Sequence, residues 1–238
     1  MIADETARFE FDHVTLAADD RLRLDDVCGS VPRDGITVLV GPSGSGKSTL
    51  LRCCNRLAVP TAGRVKYCGE DVATLDPLRL RRRVGMVFQR PMPFPGTVRE
   101  NLQVAEPSIS DAVAGSVLGQ VGLSTSFLDR VATELSGGEA QRVCLARTLV
   151  TQPEVVMMDE VTSSVDPAQR TGLEGLARSL ASKGVAVLWV THDLDQMHRV
   201  ADHVLVVVDG HIVHAAHPVE VELGAPEPVR AFLAGEVQ

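Results

Sequence analysis

Between Gly41 and Thr49 the chain runs Gly-Pro-Ser-Gly-Ser-Gly-Lys-Ser-Thr, comprising Gly41, Pro42, Ser43, Gly44, Ser45, Gly46, Lys47, Ser48 and Thr49. It follows the apolar, β-rich run Ile36–Val40 and leads into Leu50-Leu51-Arg52-Cys53-Cys54, a helical pattern. This is the G-x-x-x-x-G-K-[ST] spacing in its strand–loop–helix setting, a P-loop. Its glycines let successive backbone N–H groups turn inward as an anion-binding nest, and the helix N-terminus behind them adds a positive dipole end. Lys47 can reach β- and γ-phosphates, and the Ser48 hydroxyl can hold Mg²⁺. The chemistry implied is capture of a nucleoside triphosphate.

Four further stretches carry chemistry. Val155–Glu160 is an apolar strand ending in two carboxylates. Ligands sit at strand C-termini in open α/β sheets, which places Asp159 to hold Mg²⁺ through its water shell. Glu160, one residue on, turns the other way and can accept a proton from an attacking water. Gln89 ends another strand and can orient that water or contact the metal. His192, after the strand Val185–Val190, can donate to a γ-phosphate. Finally, Leu135-Ser136-Gly137-Gly138-Glu139-Ala140-Gln141-Arg142 opens a helix. Ser136 and the Gly137 and Gly138 amides form a second anion site at a helix N-terminus. One P-loop and two phosphate-gripping helix ends imply that the second grips a triphosphate held by another subunit.

Elements must position these groups. Two strands fill residues 7–31, turning at Asp19-Asp20, and Arg64–Cys68 joins the same antiparallel layer. The P-loop helix is expected to run to about Leu57, before Pro60. Val84–Phe88 is a buried-type strand. From Gln89 the chain changes character: Pro91, Pro93 and Pro95 keep it extended, and helical patterns follow at Val98–Val104, Ser110–Val121 and Glu139–Val150. Beyond that the alternation is strand Glu154–Met158, helix Pro167–Ser182, strand Val185–Val190, helix Leu194–Ala201 and strand His203–Val208. Alternation of this kind implies a parallel sheet with right-handed crossovers. Asp209-Gly210 turns the chain back through His211–His214, and a helix over Pro228–Ala234 follows. The fold class is α/β: a P-loop NTPase with a mixed, largely parallel sheet, an antiparallel β layer at the N-terminus and an inserted helical subdomain. Residues 1–238 form one domain, with 1–89 and 151–238 as the nucleotide-binding core and 90–150 as the helical subdomain.

Composition narrows the partners. A net charge of −8 over 238 residues disfavours a nonspecific nucleic-acid binder, which needs a basic footprint. Arg79, Arg81, Arg82 and Arg83 form a local basic run, read as a solvated face with some contacts to acidic neighbours. The five cysteines are odd in number and lack C-x-x-C pairing, which suggests neither a disulfide framework nor a zinc site and fits a reducing cytoplasm. The N-terminus lacks the basic and apolar regions of a signal peptide. The longest apolar runs are strand-sized, so a membrane partner would have to be another chain. His211, His214 and His217 recur every three residues, but such positions alternate faces of a strand and read as surface polar positions.

The ordered set Gly41–Thr49, Gln89, Leu135–Arg142, Val155–Glu160, Ser163–Asp166 and His192 resembles the nucleotide-binding subunit of an ABC transporter. In that family these are the Walker A loop, Q-loop, signature, Walker B, D-loop and H-loop, and the resemblance covers roughly residues 8–218. It implies a head-to-tail dimer, homodimer or pseudo-homodimer, sandwiching two ATP–Mg²⁺. Glu160 would be the general base, Lys47 and His192 would stabilise γ-phosphate charge, and Ser48, Gln89 and Asp159 would serve Mg²⁺. Ser136 and Gly138 would close on the partner's ATP, and Asp166 would couple the two sites. The helical subdomain and the segment after Gln89 would receive transmembrane permease subunits at the cytoplasmic face of the inner membrane.

Two departures stand out. The family stacks an aromatic on adenine; the matching place falls near Ala18, and no aromatic lies between Phe11 and Gly41. Stacking is worth roughly 1–3 kcal/mol, so ATP binding weaker by about 5- to 150-fold is expected, with Leu16, Arg21 or Arg23 as partial substitutes. Tyr at Ala18 should then tighten ATP binding. Val161 replaces the family's usual Pro after the catalytic Glu, and Pro restricts its predecessor, so a less rigid Glu160 is expected. Met86-Val-Phe-Gln-Arg-Pro-Met-Pro-Phe-Pro95 is similar to phosphate-importer ATPases. The short stretch between Gln89 and Ser136 and the non-Pro Val161 are similar to small metal-exporter ATPases. Both solute readings stay open, beside a soluble ABC ATPase acting as an assembly module.

Overall fold

The computed structural model describes residues 7–18, 21–163, 165–221 and 225–233. Two sheets share one α-helix between them. The first is antiparallel, in the order β2-β1-β4-β5, from β1 (Ala7–Ala18), β2 (Arg21–Pro32), β4 (Ala62–Tyr67) and β5 (Glu70–Asp71). The second has the order β10-β9-β3-β8-β7-β6. Its strands are β3 (Ile36–Val40), β6 (Val84–Val87), β7 (Val155–Asp159), β8 (Ala186–Val190), β9 (His203–Val208) and β10 (His211–Ala216). Only β10 runs antiparallel to its neighbour. The Asp19-Asp20 turn lies outside the described residues, as does Ala234.

β3, β7 and β8 are buried at every position, as expected for parallel strands covered on both faces, and they read as continuous Val/Leu/Met runs. Helix α1 (Lys47–Cys54) lies against one face, with Leu50, Leu51, Cys53 and Cys54 wholly buried. Phe9, Phe11, Val14, Leu24 and Val27 of the antiparallel sheet close over the same core. The opposite face carries α3 (Val98–Ala105), α4 (Asp111–Gln120), α5 (Gly137–Leu149), α6 (Pro167–Ala181), α7 (Leu194–Val200) and α8 (Glu227–Leu233). The chain from Gln89 to Val150 contributes helices and short turns but no named strand.

Helix α1 stops at Cys54, earlier than the expected Leu57. Arg56 enters the left-handed region (φ 58°), the Leu57 N–H bonds the Arg52 carbonyl at 2.9 Å and the Arg56 N–H bonds that of Cys53 at 3.3 Å. This is a Schellman closure with a non-glycine residue at its left-handed position.

The basic run is itself a helix, α2 (Pro77–Arg83), which the apolar pattern did not reveal because only Leu80 is buried. Its start was written locally: Asp76 accepts from the Arg79 N–H and Pro77 stands in the first turn. The solvated-face reading needs correction for Arg81. Its guanidinium donates to the Asn55 and Arg56 carbonyls at 3.2 and 2.7 Å, securing the end of α1. Arg82 and Arg83 do meet carboxylates, Glu106 and Glu154, each at 2.7 Å.

Candidate functional site

Gly41 follows β3 at φ 145°, and a side chain there would put Cβ 1.9 Å from the Val207 carbonyl oxygen. Gly46, at φ 105°, lies so close to β2 that a Cβ would meet the Arg23 carbonyl at 2.7 Å. The loop therefore threads between β9 and β2 where only glycine fits. Gly46 also caps α1 and offers no side-chain oxygen. The first N–H groups of the helix are thus not consumed by a side-chain cap, the condition for an anion site.

Lys47 is 5% exposed. Its ammonium donates to the Gly41 and Pro42 carbonyls at 2.8 and 2.7 Å and to Ser45 Oγ at 3.3 Å. Burial lowers its pKa from the ordinary lysine value, against the opposing pull of Glu160 and Asp159. The Ser48 hydroxyl donates to Asp159 Oδ1 at 2.6 Å, joining the start of α1 to the end of β7. These two oxygens are hard donors at the edge of the phosphate loop, a set that suits Mg²⁺.

Glu160 adopts φ 48°, held by its N–H to the Val190 carbonyl and its own carbonyl to the Ser163 N–H, both at 3.1 Å. That twist turns its carboxylate away from Asp159. Gln89 Nε2 donates to Glu160 Oε2 at 3.0 Å, and His192 Nδ1 lies 3.7 Å from the same oxygen. Gln89, foreseen as either a water-orienting or a metal-contacting group, thus engages Glu160. Val161 is 3% exposed and packs in the core, so burial anchors the residue after Glu160 where proline would have restricted φ.

A cavity of about 310 Å³ is lined by Arg23, Ser43–Thr49, Gln89 and Glu160. Of the proposed adenine substitutes, Arg23 reaches it. Leu16 is buried in the antiparallel core instead, and Ala18 pairs with Arg21 at the end of the β1–β2 ladder.

Ser136, Gly137 and Gly138 do not line that cavity. Ser136 caps α5 in a reciprocal box with Glu139. Its Oγ accepts the Glu139 N–H at 3.4 Å and donates to Glu139 Oε2 at 2.8 Å. Bonds from the Ser136 backbone and hydroxyl, with Arg130, hold the Glu139 carboxyl down at about 2. Gly138 abuts α6: a Cβ there would lie 2.1 Å from Gln169 Oε1. Asp166 caps α6 through the Gln169 N–H at 2.9 Å. Ser136, Gly137 and Asp166 are all exposed.

Sequence reasoning missed the polar groups behind the site. Gln196, wholly buried, accepts from Thr162 Oγ1 at 3.0 Å and donates to Glu174 at 3.0 Å. Arg170 bonds Asp193, the residue after His192, at 2.9 Å. Gln141 of α5 donates to the Phe88 carbonyl at 3.1 Å, beside Gln89. Buried Asn101 bonds both the N–H and the carbonyl of Phe94, at 2.7 and 2.9 Å. The available signal was a polar residue on an otherwise apolar helix face, which does not name its partner.

A family model described as ABC transporter matches residues 24–163. The chain belongs to the ABC transporter family. It is 41% identical over 226 residues to ABC transporter I family member 17 of Arabidopsis thaliana, covering 92% of this chain and 86% of that protein. It is 39% identical over 221 residues to Phosphate import ATP-binding protein PstB 3 of Natronomonas pharaonis, covering 87% and 80%. A solved ATP-binding cassette of an ABC transporter, in its ADP conformation, superposes with a TM-score of 0.83 at 27% identity, over 96% of this chain and 99% of that one. This ABC protein is the ATP-hydrolysing subunit of a transporter. ABC ATPases bind ATP and typically dimerise and work with membrane permease subunits. Among its described residues no helix is long and apolar enough to cross a membrane.

Proposed function

We propose that this ABC ATPase hydrolyses ATP–Mg²⁺ in a head-to-tail dimer and drives import of phosphate. The observation that carries the hydrolytic reading is Glu160, left-handed, tied to Gln89 and facing the P-loop cavity. Glu160 takes the proton of the attacking water, and Gln89 and His192 hold its carboxylate in place. The Lys47 ammonium, now bonded to loop carbonyls, transfers to phosphate oxygens. Bound Mg²⁺ supplies charge neutralisation for the phosphates, with Ser48 and Asp159, joined by Gln89, as the residues that would hold it.

Exposed Ser136 and Gly137, with half-buried Gly138, lie outside their own chain's phosphate cavity, which supports their closing on the partner's ATP. Asp166, beside them at the α6 N-terminus, serves to couple the two sites. Residues 1–89 and 151–238 act as the nucleotide core and 90–150 as the helical arm. The arm receives the permease at a groove of about 290 Å³ lined in part by Leu57, Phe88, Phe94 and Val104. The Gln141–Phe88 bond ties that groove to the signature helix. Work at the cytoplasmic face of a membrane follows from this docking.

Two measurements test the proposal. Glu160→Gln should shift from monomer to dimer by light scattering when ATP is added; a variant that binds ATP yet stays monomeric sinks the sandwich. With its permease in proteoliposomes, the ATPase should take up radiolabelled phosphate, and Lys47→Ala should abolish the uptake. ATP turnover without phosphate movement would remove the solute reading and leave the enzyme.

A further inference from the structure

On the antiparallel sheet, among residues that do not line the P-loop cavity, three unlike donors converge. His13 Nδ1 lies 2.7 Å from Asp26 Oδ1 and 3.5 Å from Cys28 Sγ. All three donor atoms fall within 4.8 Å of one another.

A regular ladder would not bring them together. Phe11 pairs with Gly29 and Val14 with Val27, so Asp12 and His13 oppose the single residue Cys28. One step along, Val14 pairs with Val27 and Leu16 with Leu24, so Asp25 and Asp26 oppose the single residue Thr15. The two bulges lie on opposite strands, and each contains one left-handed residue: His13 at φ 53° and Asp26 at φ 48°. Bulges re-aim side chains, and here they aim an imidazole, a carboxylate and a thiol at one point. Neighbours hold both in place. The Asp26 N–H donates to Thr15 Oγ1 at 3.1 Å, and β4 presses so close at Gly63 that a Cβ there would lie 2.0 Å from the His13 carbonyl oxygen.

We propose that His13, Asp26 and Cys28 form a zinc-class metal site built by these opposed bulges. One nitrogen, one thiolate sulfur and one carboxylate oxygen suit Zn²⁺ and disfavour the hard cations Mg²⁺ and Ca²⁺. Tetrahedral Zn²⁺ with ordinary bond lengths requires a nitrogen–sulfur edge of about 3.5 Å and a nitrogen–oxygen edge of about 3.4 Å. The first is already present; the second needs only a small opening of the His13–Asp26 contact. The Asp26 carboxylate beside His13 Nδ1 gives the cluster a negative charge that favours a cation there. All three side chains are exposed, so a fourth position is open to water or to a donor from another molecule.

The test is Co²⁺ binding by the full chain without nucleotide, followed by the thiolate-to-cobalt charge-transfer absorption. The expected result is one equivalent at micromolar protein, displaced by Zn²⁺. It should be unchanged in Cys68→Ser, which removes the other exposed cysteine, and lost in Cys28→Ser, His13→Ala and Asp26→Asn. Circular dichroism and ATP binding of these variants check that the fold survives. Absence of the band in the wild type overturns the proposal. So does a band that persists in Cys28→Ser, or one that survives loss of both His13 and Asp26.

Discussion

Glu160 occupies a backbone region that costs a non-glycine residue of order 1–3 kcal/mol, and the flanking strands hold it there. The twist parts the adjacent carboxylates: Asp159 turns to Ser48, Glu160 to Gln89 and His192. Glu160→Gln should cut ATP turnover by about 10²- to 10⁴-fold, the usual contribution of a general base, while ATP binding persists. Single-turnover rates within tenfold of wild type would mean another base. Among the described residues of the β1–β2 hairpin, Arg23 lines the P-loop cavity. If its guanidinium covers the base, Arg23→Ala should weaken ATP binding by about 2- to 5-fold, the worth of an exposed cation–π contact. Calorimetric titration with ATP would show it, and unchanged affinity would exclude the contact.

At the scale of elements, two junctions organise the site. The Ser136–Glu139 box starts α5 and sets the signature. Because the Glu139 carboxyl is held at about 2, below its ordinary unfolded value near 4.3, its charge stabilises the fold fully above that unfolded value. The contribution fades as pH falls through about 2. Glu139→Gln keeps a capping-box partner but not the charge. Its deficit in unfolding midpoint should therefore be constant above about pH 5 and close towards pH 2; a gap independent of pH would show that the charge is irrelevant. The second junction is Glu154, which accepts from Tyr67 at 2.8 Å and from Arg83 at 2.7 Å and pairs with Arg8 at 3.4 Å. It ties the antiparallel sheet to the start of β7. Arg83 is the main cause holding the Glu154 carboxyl below its ordinary range, with Tyr67 adding to it. Tyr67→Phe should lower stability by about 1.5–3 kcal/mol in urea, as for a hydrogen bond to a charged group, with ATP binding intact.

At the scale of the whole molecule, the segment on either side of Gln89 exposes a run of large apolar side chains. Phe88, Met92 and Phe94 are 40%, 70% and 45% exposed. The backbone beneath them is fixed: Asn101 grips Phe94, and the Arg147 guanidinium stacks 4.3 Å from the Phe94 ring and bonds the Met92 carbonyl at 3.2 Å. A rigid apolar shelf suits a permease helix. Met92→Asp should leave the ATPase rate of the isolated subunit unchanged while reducing co-purification with the permease and coupled uptake. Normal assembly of that variant would move the docking surface elsewhere.

Much of this protein was legible in its residues. The phosphate loop, the Asp159–Glu160 pair, the signature and the order of strands and helices are local patterns, written in spacing and hydrophobic period. Strands β1, β2 and β4 of the first sheet and the parallel run of the second were readable because each buries a continuous or alternating face. Three things lay beyond one-dimensional pattern. Helix α2 buries a single leucine and so has no apolar period to detect. The buried bridges of Gln196 and Gln141 and the half-exposed one of Glu154 join residues far apart in the chain, and a polar residue does not announce its partner. Which candidate lines the P-loop cavity, Arg23 rather than Leu16, depended on how two bulges and a close β2–P-loop contact set the register. Local sequence determined which groups exist and on what elements; packing, which depends on contacts between distant segments, decided which of them meet.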